Sequence, residues 1–252
     1  MNKFKIIYIK PTNSFKEILI KIFLKFLLKI FTKNYLIYKN NIRLKIEKIS
    51  FNVQFYLTVT YLRFKYPLFY RLPSRQILAF DVTNKFLKIL KSKKINFFLL
   101  EGCLLGAVRQ GCFAGRPHDI DFGIKESELQ SLFDATTLLI KNGAKSIRKE
   151  EANNIIEKID ITFPLMRIDV HIYRKIKING QDLWFAQSEI NKGSKFSGVT
   201  FPISDLENLI TLKAYGKNFL SPSNKEVYLE KVYGKNWKIP DKKQFFYKKL
   251  ND

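Results

Sequence analysis

Cysteine, histidine and, over the first hundred residues, acid are what this sequence is short of. Two cysteines, Cys103 and Cys112, and two histidines, His118 and His171, stand in 252 residues. That excludes a disulfide framework and leaves no Cys/His cluster with zinc-ligand spacing. Free thiols, as in a reducing compartment, fit so little cysteine better than a bridge does. Residues 1–100 hold 21 Lys+Arg against 3 Asp+Glu, a balance of +18, whereas the other 152 hold 24 against 19, or +5. A basic excess confined to one end points to a polyanionic partner, either anionic lipid or nucleic acid. Long apolar runs are missing too. The stretch from Phe15 to Phe31 is interrupted by Lys21, Lys25 and Lys29, and falls short of the roughly 20 residues a membrane span needs. No small-residue cleavage pattern follows it, so a signal peptide is not expected either. There is no internal repeat.

What is present is enough apolar surface to fold: 46% of the residues are hydrophobic and 15% aromatic, on a chain long enough for one domain with an added segment. Lys21, Lys25, Lys29 and Lys33 recur at every fourth position and would line one face of a helix, with Ile18, Ile22, Phe23, Phe26, Leu27 and Ile30 around the rest. Such a helix suits a membrane interface, with its lysines against anionic headgroups; an ordinary packed helix with solvated lysines is the alternative. Residues 1–72 are therefore expected to form a basic amphipathic extension and residues 73–252 the principal domain.

Residues 42–62 alternate in two phases, Ile42, Leu44, Ile46 and then Ile49, Phe51, Val53, Phe55, which predicts half-buried strands, although Tyr56 to Tyr66 reads equally as helix. Ser74 is placed to cap a helix bearing Ile77, Phe80, Phe86, Leu87 and Leu90, followed by a short buried strand from Ile95 to Leu100 that Gly102 ends. Ser127-Glu128-Leu129-Gln130 has the form of a capping box, with Leu129, Leu132, Phe133 and Ile140 as the buried stripe and Asn142–Gly143 as the stop. Strands are expected over Asn154 to Phe163, Arg167 to Tyr173 and Asp182 to Gln187, with a hairpin turn at Asn179–Gly180. From Asp205 onward short helices are expected.

The chemistry is concentrated in Asp119-Ile120-Asp121-Phe122-Gly123-Ile124. On a strand the apolar residues take one face and the two aspartates share the other, with Cα atoms about 7 Å apart. Carboxylates that close repel unless a cation lies between them or one is protonated. A hard divalent ion, Mg²⁺ or Mn²⁺, accepts such oxygens and keeps room for phosphate. Alone, a D-x-D pair is more often a solvated strand edge. Upstream, Glu101 to Gly106 lies where a strand gives way to a helix, so glycine allows a close backbone approach and the helix start offers N–H groups to phosphate. Downstream, Arg167-Ile168-Asp169-Val170-His171 repeats the alternation and offers Asp169 as a third carboxylate, able to ligate a metal or to prepare an attacking hydroxyl.

Taken together, Gly102-Cys103-Leu104-Leu105-Gly106-Ala107-Val108-Arg109-Gln110, the Asp119–Ile124 segment, Arg167-Ile168-Asp169-Val170 and the closing Tyr228-Leu229-Glu230-Lys231-Val232-Tyr233-Gly234-Lys235-Asn236-Trp237-Lys238-Ile239-Pro240 resemble the LicD/fukutin family of phospho-group transferases, within the nucleotidyltransferase superfamily. The likeness runs roughly from Pro73 to Pro240 and is closer to the fukutin-like branch, since Arg116-Pro117-His118 replaces the acidic stretch that often precedes D-x-D. It also departs in Cys103, a weaker hydrogen-bond donor than the usual Ser or Thr.

The resemblance implies an α/β (α+β) fold with a small mixed sheet flanked by helices. It implies Asp119, Asp121 and Asp169 as catalytic and metal-binding residues, and Gly102, Cys103 and Arg109 at the donor phosphates. His118, His171 and Gln110 would support them, while Tyr233 and Trp237 are read as packing. A CDP-activated donor of phosphocholine or a polyol phosphate such as ribitol phosphate is implied, with a sugar hydroxyl of a surface glycan as acceptor. The expected location is cytoplasmic, peripheral at the inner face of an anionic membrane; nucleic acid is not an expected partner. Two rivals remain: a nucleotidyltransferase acting on RNA, and a non-catalytic, membrane-associated interaction protein.

Overall fold

The structure, a computed structural model, describes residues 39–152, 154–187 and 198–240. The lysine-striped segment Phe15–Phe31 lies outside them. The chain divides into two compact units, one made of Lys10–Arg71 and one that takes in everything from Leu72 onward.

In the first unit, residues 42–62 are not strands. They belong to one helix, α1 (Lys39–Lys65), followed by a 3-10 turn at Pro67–Phe69. The same apolar residues satisfy both periods: Ile42, Ile46, Ile49, Val53 and Tyr56 are spaced by four and three, as a helix face requires. No Gly or Pro interrupts the stretch, and the helix stops just before Tyr66, whose α conformation Pro67 disfavours. Phe51 and Phe55, one turn apart, stack at 6.4 Å.

The second unit is an α/β domain whose elements run α2 (Ser74–Ser92), β1 (Phe97–Leu99), α3 (Glu101–Gln110), β2 (Asp119–Lys125), α4 (Leu129–Asp134), α5 (Thr136–Lys141), β3 (Ser146–Ala152), β4 (Ile155–Phe163), β5 (Met166–Ile178), β6 (Gln181–Gln187), β7 (Gly198–Pro202), α6 (Ile203–Glu207), β8 (Ile210–Ala214), β9 (Lys217–Ser221) and α7 (Lys225–Tyr233). The mixed sheet has the order β3-β4-β5-β2-β1-β9-β8, with β6 and β7 continuing from the far half of β5. β2 runs parallel to β5 and β1 parallel to β9; the remaining pairs are antiparallel.

The larger part of the core lies on one face of this sheet. Ile120, Phe122 and Ile124 of β2 and Ile168, Val170 and Ile172 of β5 are all at most 1% exposed. α2 closes over them, with Phe86 stacked on Phe122 at 5.4 Å. Each such side chain contributes about 1.5–3 kcal/mol by leaving water, so this face fixes β2 beside β5 whatever the opposite face carries.

Several local expectations are corrected. Pro73, not Ser74, occupies the cap position of α2, and no side chain caps it. The capping box at Ser127 does not form. Residues 126–128 make a 3-10 turn, and the helix behind them is split at Ala135, where the Thr136 hydroxyl donates to the Phe133 carbonyl at 2.7 Å. The buried stripe there is Leu132, Ala135 and Leu139, rather than Phe133 and Ile140. The tail is not purely helical: β8 and β9 form a hairpin turned by Tyr215 and Gly216, both at positive φ. The Asn179–Gly180 turn is as expected, with φ of 48° and 81°.

Candidate active site

The face of the sheet opposite the core is polar in its centre. Pairing aligns Asp119 with Arg167, Asp121 with Asp169 and Gly123 with His171 across β2 and β5. It also aligns Thr162 with Arg167, Asp160 with Asp169 and Lys158 with His171 across β4 and β5. Partners in register point the same way, and every second residue returns to the same face. The result is a patch three strands wide in which Asp160, Asp169 and Asp121 form one transverse row, neighbours about 4.8 Å apart along the hydrogen-bonding direction. Asp119 sits one step along β2 from that row.

These carboxylates are buried and crowded. Asp160 is 0% exposed, Asp169 5% and Asp121 9%. Burial, then the nearby Asp121 charge, raises the pKa of Asp119, and Arg167 opposes the rise. Burial pushes Asp169 up to about 7 against the pull of Lys158. Two cations hold the group together. The Arg167 Nη2 donates to Asp119 Oδ2 at 3.2 Å, and its Nε lies 2.7 Å from Asp169 Oδ1. Lys158 Nζ stands 3.4 Å from Asp169 Oδ2 and 3.3 Å from Asp160 Oδ1. Arg148 completes the arrangement with Nη2 2.5 Å from Asp160 Oδ2, and together these cations keep Asp160 below its ordinary pKa despite burial. His171 Nε2 is 3.8 Å from Asp121 Oδ1. Burial opposes its charging, but Asp121 and Glu101 outweigh that and lift its pKa.

α3 approaches the row from the end of β1. The Leu100 N–H donates to the Asp121 carbonyl at 3.2 Å, so the helix starts beside the second aspartate. Its first residue, Glu101, has φ of 44°, a conformation that costs a non-glycine residue roughly 1 kcal/mol or more. Burial, and then Asp121, raise the Glu101 carboxyl to about 8. Gly102 is half-buried at the first turn. Cys103 is buried beneath the strand, its sulfur accepting the Asp121 N–H at 3.4 Å, and burial drives its thiol pKa well up. Both cysteines are free. Arg109 is half-buried on the last turn, and its charge acts against the rise that burial imposes on the Tyr233 hydroxyl pKa. Gln110 braces the return loop, donating to the Phe113 carbonyl at 2.8 Å. His118 is exposed just before β2.

The return loop is fixed by contacts that sequence reading missed. Gln76 Nε2 donates to the carbonyls of Phe113 and Gly115 at 2.7 and 2.8 Å, and its Oε1 accepts the Tyr215 hydroxyl. Gly106 lies so close to this loop that a Cβ there would fall 2.1 Å from Ala114 N and 2.3 Å from Cys112 O. The closing motif also reaches α3: the buried Tyr228 hydroxyl accepts the Glu101 N–H at 3.3 Å. Beside the carboxylates, Phe98, Tyr173, Phe201 and Tyr228 form an aromatic cluster. Gly123 leaves space for the Phe98 ring, which a Cβ would meet at 2.3 Å.

Sequence reading also passed over Glu101, Lys158, Asp160 and Arg167 as site residues. The alternation Lys158-Ile159-Asp160-Ile161-Thr162 carried a signal, but only register shows that it abuts Asp169.

The sequence model for the LicD/FKTN/FKRP nucleotidyltransferase domain matches residues 94–224, from the start of β1 to the start of α7. The chain belongs to this family. That places the carboxylate row in the nucleotidyltransferase-type domain of a group-transferring enzyme. No curated protein matches the LicD-family chain. Among solved structures it is similar to the antibiotic-resistance factor ANT(2'')-Ia in solution, at 14% identity over 59% of this chain and 66% of that one, with a TM-score of 0.37. It is also similar to a crystal structure of ANT(2")-Ia in complex with adenylyl-2"-tobramycin, at 15% identity over 57% and 69%, with a TM-score of 0.34. The LicD-family chain thus spans about two thirds of those proteins.

The oxygen donors of this LicD-family site suit a hard divalent cation, and like-charge crowding at Asp119 and Asp121 is what such an ion would relieve. As they stand, no three Asp, Glu, His or Cys side chains among the described residues converge to hold one. Arg167 bridges Asp119 and Asp169 instead.

Proposed function

We propose that the protein transfers a phospho-substituent, phosphocholine or a polyol phosphate such as ribitol phosphate, from a CDP-activated donor to a sugar hydroxyl of a cell-surface glycan, in the manner of the fukutin-like branch. The observation that carries this reading is the alignment of Asp121 with Asp169 on adjacent strands, with Asp119 one step away, at the start of the glycine helix. Asp119 and Asp121 would hold Mg²⁺ or Mn²⁺, with Asp169 as third carboxylate. When bound, the cation supplies positive charge that offsets the charge developing on the leaving nucleotide.

The chain's own residues do the rest. The backbone at Gly102 and Cys103, with Arg109, orients the donor phosphates. Asp169 prepares the acceptor hydroxyl. Arg167, which bridges Asp119 and Asp169, would be left to meet a donor phosphate if those carboxylates held the cation. The aromatic cluster beside the row excludes water from one side of it.

One observation favours a second reading. Arg167 and Lys158 already neutralise the carboxylates, as they would in a non-catalytic, membrane-associated interaction protein that has kept the fold.

The deciding experiment is calorimetric binding of CDP-choline, CDP-ribitol and CTP, with and without Mg²⁺, to the wild type and to Asp121→Ala. Metal-dependent binding of one CDP conjugate, lost in the variant, supports the transferase and names the donor. Absence of metal-dependent nucleotide binding overturns it in favour of the second reading.

A further inference from the structure

α1 presents a second apolar surface that the transfer reaction leaves unexplained. Ile49 (61% exposed), Val53 (53%), Tyr56 (68%), Leu57 (67%), Tyr61 (61%) and Phe64 (82%) all stand in solvent. At 100° per residue they fall within an arc of about 140°, and from Ile49 to Phe64 the stripe runs about 22 Å. Val59 and Leu62 on the opposite side are buried, and of the exposed large apolar residues of α1 only Phe51 (42%) falls outside the arc, so the apolar exposure is concentrated on one face of the helix. The surface continues past the helix end to Leu68 (94%) and Tyr70 (62%), the latter with Arg63 over its ring at 5.7 Å. An exposed apolar stripe of this length on a folded unit marks an interaction surface.

Charge selects the occupant. Residues 39–71 contain seven Lys+Arg (39, 43, 45, 48, 63, 65 and 71) against one acid, Glu47. A second copy docking face to face would bring two such basic segments together. Nucleic acid phosphates would answer the charge but give Leu57 and Phe64 nothing to bury against. An anionic lipid surface answers both, with headgroups for the cations and acyl chains for the stripe. Tyr56 and Tyr61, at the two edges of the arc, suit the headgroup level. No helix among the described residues is long and apolar enough to cross a bilayer, so α1 would lie along the surface.

We infer that the Ile49–Phe64 face of α1 is a peripheral docking surface for an anionic lipid bilayer. It involves residues other than the lysine-striped Phe15–Phe31 segment and does not rest on the transferase reading.

The test uses the full chain carrying Phe64→Trp, with vesicles of phosphatidylcholine alone or mixed with phosphatidylglycerol and containing brominated acyl chains. Trp184 and Trp237 are buried and provide the unquenched background. The expected result is quenching and a blue shift of the new indole only with the anionic vesicles, weakening as salt is raised. In co-sedimentation, Leu57→Glu combined with Phe64→Glu should weaken that binding about tenfold or more, with an unchanged circular dichroism melt. Sedimentation with vesicles but no quenching would overturn the inference by placing the contact elsewhere. So would failure to bind anionic vesicles at all, or a lipid-independent blue shift that grows with protein concentration, which would mean that a second copy covers the face.

Discussion

On one face of the β4–β5–β2 patch, Ile159, Ile161, Ile168, Val170, Ile120 and Phe122 are each at most 1% exposed. On the other face, one residue further along the same strands, stand Lys158, Asp160, Arg167, Asp169, His171, Asp119 and Asp121. The backbone and the hydrogen-bond ladder are common to both. The apolar face stabilises the fold without chemical specificity, whereas the polar face gathers four carboxylates that repel one another and need cations to stay ionised. A strand with a strict period of two can therefore keep a costly constellation in place, because its other side holds the register.

Substitutions can separate the two contributions. Phe122→Ala should have the largest effect on stability, roughly 3–5 kcal/mol by urea denaturation, while metal-dependent donor binding by the fraction still folded stays near wild type. Next comes Glu101, whose pKa of about 8 lies above its ordinary 4.5. The folded chain retains a proton that the unfolded chain gives up across that interval, so the stabilisation is complete below pH 4.5 and lost as the pH rises through about 8. Glu101→Gln should therefore raise Tm relative to wild type at pH 9 in EDTA, by several degrees, with the difference vanishing at pH 4. A pH-independent difference would contradict this account.

Asp160→Asn should cost roughly 2 kcal/mol, since it leaves Lys158 and Arg148 short of a buried counter-charge; chemical denaturation reads it. A smaller change in stability belongs to Arg167→Gln, about 1 kcal/mol, because its pair with Asp119 is exposed and the buried Asp169 it also meets keeps Lys158 as a counter-charge. This variant should nevertheless bind Mn²⁺ about tenfold more tightly in an electron paramagnetic resonance titration, because the competing guanidinium is gone. Unchanged Mn²⁺ affinity would show that Arg167 does not compete for the carboxylates.

How much of this could be read in advance depended on whether a feature was local. The alternation around Asp119 and Asp121 and the Asn179–Gly180 turn are local, and the sequence carried both. That Asp160 lies against Asp169 depends on the register between β4 and β5, which no single stretch specifies. Gln76 and Tyr215 hold the loop before Asp119 from positions 139 residues apart, and neither has a motif to announce it. α1 was misread because its apolar residues satisfy periods of two and of three and a half over the same window. β8 and β9 were missed because their strands are short and half-exposed, with only the Tyr215–Gly216 turn to betray them.

The absent side chain of Gly106 has a mechanical consequence. With the backbone of residues 112–114 pressed into the space a methyl group would fill, and Ala114 N–H bonded to the Gly102 carbonyl at 3.0 Å, α3 and the return loop have no slip plane between them. They travel as one rigid lever whose far end is the entry to β2. If the first turn of α3 held the donor phosphates as proposed, a pull on it would reach Asp119 as well, and the grip on phosphate would be coupled to the aim of the first aspartate.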